Sequence, residues 1–258
     1  MSFNRKVNKD DIPTCNVLGL NIAAIDMEWL LNFTTKNVAR LSGDYMCVTN
    51  VHTTILAIED KAYGIVQDSG VMSIPDGAPL SIVGRKQGYQ NMKRVTGPDY
   101  LEEVLKLSRV NGYSHYFLGS TEDTLEKLVT NINNKYPGIK IAGYYSPPFR
   151  DLSIEERKKI IATINAANPT FIWVGLGAPK QEFWMKDSQG KVKGFMIGVG
   201  AAFDYLAGNI QRAPKWMQKN SLEWLYRLIQ DPRRLFKRYF FTNIKFLIYI
   251  FLKGNKKR

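Results

Sequence analysis

The sequence predicts an α/β protein whose mostly parallel sheet carries helices on both faces, with a basic, amphipathic helical appendage at its C-terminal end. Three observations carry this expectation. Between residues 14 and 205, short β-rich runs alternate with segments of helical hydrophobic spacing, the pattern of repeated βα units. Three of those runs end in glycine-rich turns. The charge is also divided: residues 212–258 hold 13 of the 36 Lys and Arg but only 2 of the 23 acids, so +11 of the net +13 lies there. The organisation expected is an α/β domain over residues 1–211 and a tail over 212–258. At 45% apolar residues the chain can bury one substantial core, which excludes a disordered protein.

Taken in order, the first 13 residues are polar and contain no apolar run of a secretory signal, so a cytosolic location is expected. Strands are expected at 17–22, 45–49, 115–118, 140–144, 171–175 and 194–199, with a short one ahead of Asp76. Helices are expected at 26–35, 53–66, 99–109, 121–135 and 153–166. Asp99, Ser120 and Ser153 are the expected N-caps, Ser153 with Glu156 three residues on as a capping box. Cys15 and Cys47 lack metal-pair spacing and in a cytosolic chain read as reduced, buried small hydrophobes.

The turns are Leu118-Gly119-Ser120-Thr121, Val174-Gly175-Leu176-Gly177-Ala178 and Ile197-Gly198-Val199-Gly200-Ala201-Ala202. At the carboxyl ends of strands in an open α/β sheet, such loops form the ligand crevice, and glycine lets backbone approach a phosphate. A nucleotide is the natural guest, although the same glycines also serve plain tight turns. No P-loop is present, and Phe203 stands where a dinucleotide fingerprint ends in glycine, which disfavours P-loop nucleotidases and NAD enzymes.

Asp76, fixed between Pro75 and Gly77, is either a general base or part of a common Pro-Asp-Gly turn. His52 and His115 are the only histidines, and lone histidines are most often structural. No His/Cys/Asp cluster at ligand spacing and no Asp-x-Asp occurs, so no metal site is expected. Arg94, ahead of a helix start, suits bidentate phosphate binding or a solvated surface. Pro179 suits a first helical turn, leaving Lys180, Gln181 and Glu182 at the crevice rim to read sugar hydroxyls or phosphate oxygens.

The neighbourhood of Asn50, Pro75-Asp76-Gly77, Arg94-Val95-Thr96-Gly97-Pro98-Asp99, Gly175-x-Gly177-Ala178-Pro179-Lys180-Gln181-Glu182 and Gly198-Val199-Gly200-Ala201-Ala202-Phe203-Asp204 follow one another in that order. In this the sequence resembles the WecG/TagA/CpsF glycosyltransferases of bacterial cell-surface polymer synthesis, over roughly residues 14–248. Tyr145-Ser146-Pro147-Pro148-Phe149-Arg150 and Trp216-Met217-Gln218 look like an exopolysaccharide-associated branch. The resemblance implies a Rossmann-like fold and inverting transfer of a sugar from a UDP-sugar to a polyprenyl-diphosphate-linked saccharide, without a cofactor. Asp76 is then the base that deprotonates the acceptor hydroxyl. Substrate contacts are expected from Thr49, Asn50, Arg94, Gly97, Gly119, Gly177, Lys180, Gln181, Glu182, Gly200 and Asp204. Two residues before Asn50, where the family typically has threonine, this chain has Val48, with Thr49 directly preceding Asn50. N-acetylmannosamine, its uronic acid and glucose stay open as donor sugars. A non-catalytic nucleotide-sugar or lipid-carrier binding protein on the same fold is the alternative.

In the tail, Pro232 separates a helix from about residue 221 and another from about 233. On a helical wheel Arg233, Arg234, Lys237, Arg238 and Lys245 share one arc. Leu235, Phe236, Tyr239, Phe240, Phe246, Leu247 and Ile250 take the opposite one, and Phe241, Ile244, Ile248 and Phe251 interrupt the basic side. Such a helix lies in the headgroup plane of an anionic membrane, each cation contributing on the order of 1 kcal/mol. Arg212, Arg227, Arg233, Arg234, Lys237 and Arg238 are expected to meet membrane or lipid diphosphate, placing the protein peripherally on the inner membrane face. The longest apolar run, residues 246–252, is far shorter than the roughly 20 residues of a spanning helix. That contiguous run fits lipid better than nucleic acid. Packing of the tail into a homo-oligomer interface is a further alternative, and one that is compatible with membrane contact.

Overall fold

A computed structural model describes residues 6–255. Its centre is a six-stranded sheet in the order β4-β3-β8-β7-β5-β6, every neighbouring pair parallel. The strands are β3 (Tyr45–Thr49), β4 (Met72–Pro75), β5 (Ser114–Gly119), β6 (Lys140–Tyr145), β7 (Phe171–Gly175) and β8 (Phe195–Gly198). The helices of the body are α1 (Met27–Leu41), α2 (Val51–Glu59), α3 (Lys61–Ser69), α4 (Ala78–Lys86), α5 (Gly97–Asn111), α6 (Glu122–Lys135), α7 (Ile154–Ala167), α8 (Lys180–Ser188) and α9 (Ala202–Ala207). On one face of the sheet, Phe117, Trp173 and Phe195 pack with side chains of α1, α5, α6 and α9. On the other, Tyr116, Ile172 and Met196 pack with α7 and α8. The α/β architecture with helices on both faces is thus realised.

Several elements differ from expectation for identifiable reasons. The strand expected at 17–22 is the turn and inner arm of a hairpin between β1 (Thr14–Val17) and β2 (Leu20–Ala23). Leu18 and Gly19 take positive φ there, +56° and +107°, a conformation that reverses the chain. The helix expected at 53–66 is two helices: Asp60 is extended and accepts from the amides of Ala62 and Tyr63, starting α3 afresh. Thr96, not Asp99, caps α5, and Asp99 sits in the first turn accepting from the Thr96 hydroxyl at 2.6 Å. Thr121 rather than Ser120 caps α6, whereas the Ser153/Glu156 capping box of α7 is present as expected. Cys15 and Cys47 are free and buried.

His115, fully buried on β5, accepts a hydrogen bond from the Trp173 indole at 3.0 Å and stacks on Phe171 across the register. Burial lowers its pKa from 6.5 to about 3. Between those values the unfolded chain binds a proton that the folded chain refuses, so stability is complete above pH 6.5 and falls as the pH drops towards 3. Replacing His115 by Gln, which keeps an acceptor for Trp173, should flatten urea-unfolding stability between pH 7 and pH 4 relative to the native chain, by an amount on the order of 3 kcal/mol.

The tail folds as α10 (Lys215–Lys219), α11 (Glu223–Gln230) and α12 (Pro232–Asn255). The break at Pro232 was expected, and so was some docking of this helix on protein; it docks through its apolar arc, whereas Phe241, Ile244, Ile248 and Phe251, which interrupt the basic side, stay exposed. Leu235 and Phe246 are buried and Tyr239, Thr242 and Tyr249 half-buried, an inward row at helical spacing. This row lies on α2, Phe246 joins the cluster formed by the hairpin, α2 and α4, and Lys245 pairs with Glu59. Only part of the expected apolar face docks. Phe236, Phe240, Phe241, Leu247, Ile248, Phe251 and Leu252 are each more than half exposed, so a contiguous greasy surface is left outside.

Candidate active site

Neighbouring strands β3 and β8 send their chains to opposite sides: β3 into α2, which leads to α3 packed beside α8, and β8 into α9 on the α1/α5/α6 face. A crevice opens where connections diverge in this way. A cavity of about 630 Å³ sits there, walled by the carboxyl ends of β3, β4 and β8, the N-terminus of α8 and the tail helices.

Asp76 is part of its wall. Its amide donates to the Thr49 carbonyl at 2.7 Å, which ties the turn after β4 to the end of β3. Gly77, at φ +143°, then lets the chain swing into α4. The Asp76 carboxyl is half-buried, and burial pushes its pKa up to about 6. Glu223 and Asp99 push the same way, while Arg94 and Arg227 oppose. Arg94 is held close by, because the next residue's amide, of Val95, bonds the Pro75 carbonyl at 2.9 Å.

Opposite, the tail supplies charge and aromatic surface. Glu223 accepts from Arg212 at 2.7 Å and from Arg94 at 3.2 Å, and Arg212 also pairs with Asp99 at 2.9 Å. The guanidinium groups of Arg212 and Arg227 lie over the Tyr205 ring, 5.3 and 5.6 Å from its centroid, as cation–π partners. Trp224, Phe246 and Leu247 give this wall an apolar side.

Of the residues expected from sequence, Asp76, Asn50, Arg94, Gly177, Gln181, Gly200 and Arg227 line the cavity. Asn50 also caps α2, its side-chain oxygen accepting from the Thr53 amide. Gln181 bridges inward: its oxygen accepts from Gly200 N–H at 3.1 Å and its nitrogen donates to Glu182 at 2.7 Å.

Thr49, Gly97, Gly119, Lys180, Glu182 and Asp204 lie outside the lining. Thr49 is fully buried and donates to Gln67 at 2.7 Å, while Val48 lines the cavity in its place, since successive strand residues face opposite ways. Gly97 packs on Val48 and Val199. Gly119 backs onto β7, where an added Cβ would stand 2.6 Å from the Gly175 carbonyl carbon. Lys180 is exposed on the outer side. Glu182 is fully buried with its carboxyl pKa raised by burial, in a polar chain with Tyr63 and Gln67 that fixes α8, α3 and β3 beneath the site. Asp204 accepts from the amides of Asn209 and Ile210 through its carbonyl.

Arg212 is not in the cavity lining but pairs there with the lining residue Glu223 and with Asp99, Arg233 and Lys237 are exposed, and the side chains of Arg234 and Arg238 fall outside the described residues. Glu223, Tyr205 and Trp224 were not anticipated; nothing local in their sequence marks them, because long-range docking of the tail puts them here. Among the described residues no group of three or more His, Cys, Asp or Glu stands together as a metal site. No helix among them is long and apolar enough to cross a membrane.

A parallel α/β sheet with a raised-pKa carboxyl and the guanidinium groups of Arg94 and Arg227 at one crevice has the chemistry of a group-transfer site. The chain belongs to the glycosyl transferase WecG/TagA/CpsF family, whose profile matches residues 15–258. It is 33% identical over 193 residues, 74% of this chain and 73% of the relative, to the N-acetylglucosaminyldiphosphoundecaprenol N-acetyl-beta-D-mannosaminyltransferase of Bacillus subtilis (strain 168). Proteins of the same description from Bacillus spizizenii (strain ATCC 23059 / NRRL B-14472 / W23) and Staphylococcus aureus (strain MW2) are 27% and 26% identical, over 74% and 83% of this chain and 73% and 81% of theirs. The chain is a glycosyltransferase.

Proposed function

We propose that the protein transfers N-acetylmannosamine, with inversion, from UDP to a polyprenyl-diphosphate-linked N-acetylglucosamine at the cytoplasmic membrane face. The relatives' descriptions supply the sugar and the lipid-linked acceptor. The observation that carries the mechanism is Asp76, a carboxyl held near pKa 6 in a cavity with Arg94 and Arg227. Asp76 takes the proton of the acceptor hydroxyl as that oxygen attacks the anomeric carbon, and the bond to the UDP oxygen breaks on the opposite face. The negative charge that grows on the leaving diphosphate is met by guanidinium groups, preorganised by Tyr205 and the acids around them.

Residues 212–258 act as the membrane-facing unit. Their exposed Phe and Leu side chains enter the headgroup region, and the docked row of α12 brings the cavity to the plane in which the lipid-linked acceptor resides.

The test is a panel of UDP-sugars assayed for UDP release with a polyprenyl-diphosphate N-acetylglucosamine acceptor. UDP-N-acetylmannosamine should be the best donor, and kcat/KM should fall off below pH 6 as Asp76 takes up a proton. Release with no UDP-sugar, or transfer with retention, overturns the reading.

A further inference from the structure

Glu223, in the first turn of α11, puts a carboxylate into the cavity between Arg94 and Arg212, the second of which also pairs with Asp99. Its Oε1 accepts from Arg212 Nε at 2.7 Å and its Oε2 from Arg94 Nη1 at 3.2 Å. The arginines reach it from two parts of the chain, one ahead of α5 and one ahead of α10. All three side chains are largely withdrawn from water, Glu223 at 13% exposure against 20% and 21% for Arg94 and Arg212. A carboxylate bridging two guanidinium groups presents two oxygens as a phosphate does, with the same charge-assisted geometry.

We propose that Glu223 is a positioning residue that fills the Arg94/Arg212 anion site and yields it to a substrate diphosphate. The proposal rests on the reading of the cavity as a site for diphosphate-bearing substrates. While Glu223 holds the arginines, the site stays assembled and its positive charge is masked. When a diphosphate takes over the arginines, the acid is released from them, and it returns as the product leaves. Reversible capture favours turnover, because two unmasked arginines would hold UDP or a lipid diphosphate too tightly to release it.

The same carboxylate acts on Asp76. The charged and titratable groups around Asp76 are Arg94 before α5, Asp99 in α5, Glu223 and Arg227 in α11, and, lining the same cavity, His52 in α2, Tyr205 in α9 and Tyr239 in α12. Among these, Glu223 is one of two that disfavour the ionised base.

Glu223→Gln keeps the shape and one acceptor while removing the charge. In this variant of the full chain, inorganic pyrophosphate should bind roughly tenfold more tightly by calorimetry, because the Glu223 carboxylate need no longer be displaced, while the Asp99 carboxylate stays on Arg212 in both proteins. The variant's KM and kcat should both fall, product release becoming slow, and the acid limb of kcat/KM should move to lower pH. Inhibition constants for UDP and for farnesyl diphosphate then identify the diphosphate concerned, since the inhibitor that tightens is the one that meets the arginines. Pyrophosphate affinity within twofold of the native protein, or weakened, overturns the proposal. If Glu223→Gln does not fold, Glu223→Asp, too short to bridge both arginines, should show the same changes in smaller degree, and its failure to do so also overturns it. The pyrophosphate arm needs no sugar substrate, so a native protein inactive with every UDP-sugar condemns the transferase reading and leaves Glu223 separately tested.

Discussion

Asp76→Asn should abolish sugar transfer, with kcat down roughly 10³-fold, while UDP still binds within a few-fold of the native protein. An amide has nearly the shape of a carboxyl, and the turn that carries residue 76 is held by its backbone, through the amide bond to the Thr49 carbonyl and the Val95 bond to Pro75. The fold should therefore survive. What disappears is the basicity that takes the acceptor proton, and the neighbouring carboxylates are committed elsewhere: Glu223 is engaged by two arginines, and Asp99, outside the cavity lining, by Arg212 and Thr96. The arginines remain, so nucleotide affinity persists. Thermal unfolding should shift upward or not at all, because an acid whose pKa is raised by burial is poorly accommodated when charged. UDP release assays with parallel UDP titration decide the matter, and undiminished turnover removes Asp76 as the base.

The second large effect belongs to the tail. A chain ending at Ala213 should lose binding to anionic vesicles together with transfer to a lipid-linked acceptor, but this deletion does more than remove a membrane anchor. It takes away Glu223, Trp224 and Arg227 from the cavity and uncovers the cluster of Val51 and Ile55 on which Phe246 packs. Loss of a buried Phe alone costs about 3–5 kcal/mol. The sharper variant replaces Phe240, Phe241 and Phe251 by Ser. These rings are 51%, 56% and 70% exposed, so stability should stay within about 0.5 kcal/mol of the native protein. Vesicle affinity should nevertheless drop at least about tenfold, since each ring that enters the interface contributes on the order of 1 kcal/mol or more. Unchanged vesicle binding of the folded triple variant means that these rings serve another surface.

Much of this molecule was legible from residue order. Five of the six strands of the parallel sheet were located to within one or two residues, and β4 was expected as a short strand ahead of Asp76, because such strands are short runs that end in glycine or a polar turn. The Ser153/Glu156 box and the break at Pro232 could be read from local chemistry alone. Where local rules competed, they misled. The apolar run around Val17 and Ile22 looks continuous, yet both residues reach one cluster across a reversal at Leu18 and Gly19. The run from Thr53 to Val66 is periodic throughout, but Asp60 offers its side chain to two amides and stops the first helix. Thr49 was placed with the substrate contacts by its position next to Asn50, and alternation along the strand sends its hydroxyl to Gln67 instead.

The sequence by itself determined the α/β alternation, the glycine turns at the strand ends, the isolated carboxyl of Asp76 and the concentration of positive charge in the last 47 residues. These are properties of neighbouring residues, fixed by hydrophobic period and turn chemistry. The tertiary structure alone decided that α12 docks on α2, that only part of its apolar face stays outside, and that Glu223 meets Arg94 across 129 positions. It likewise decided that Trp173 donates to His115 across the sheet. No local pattern encodes such pairings. They follow from which apolar faces bury each other when the chain collapses, and the charges carried with those faces must then find partners inside.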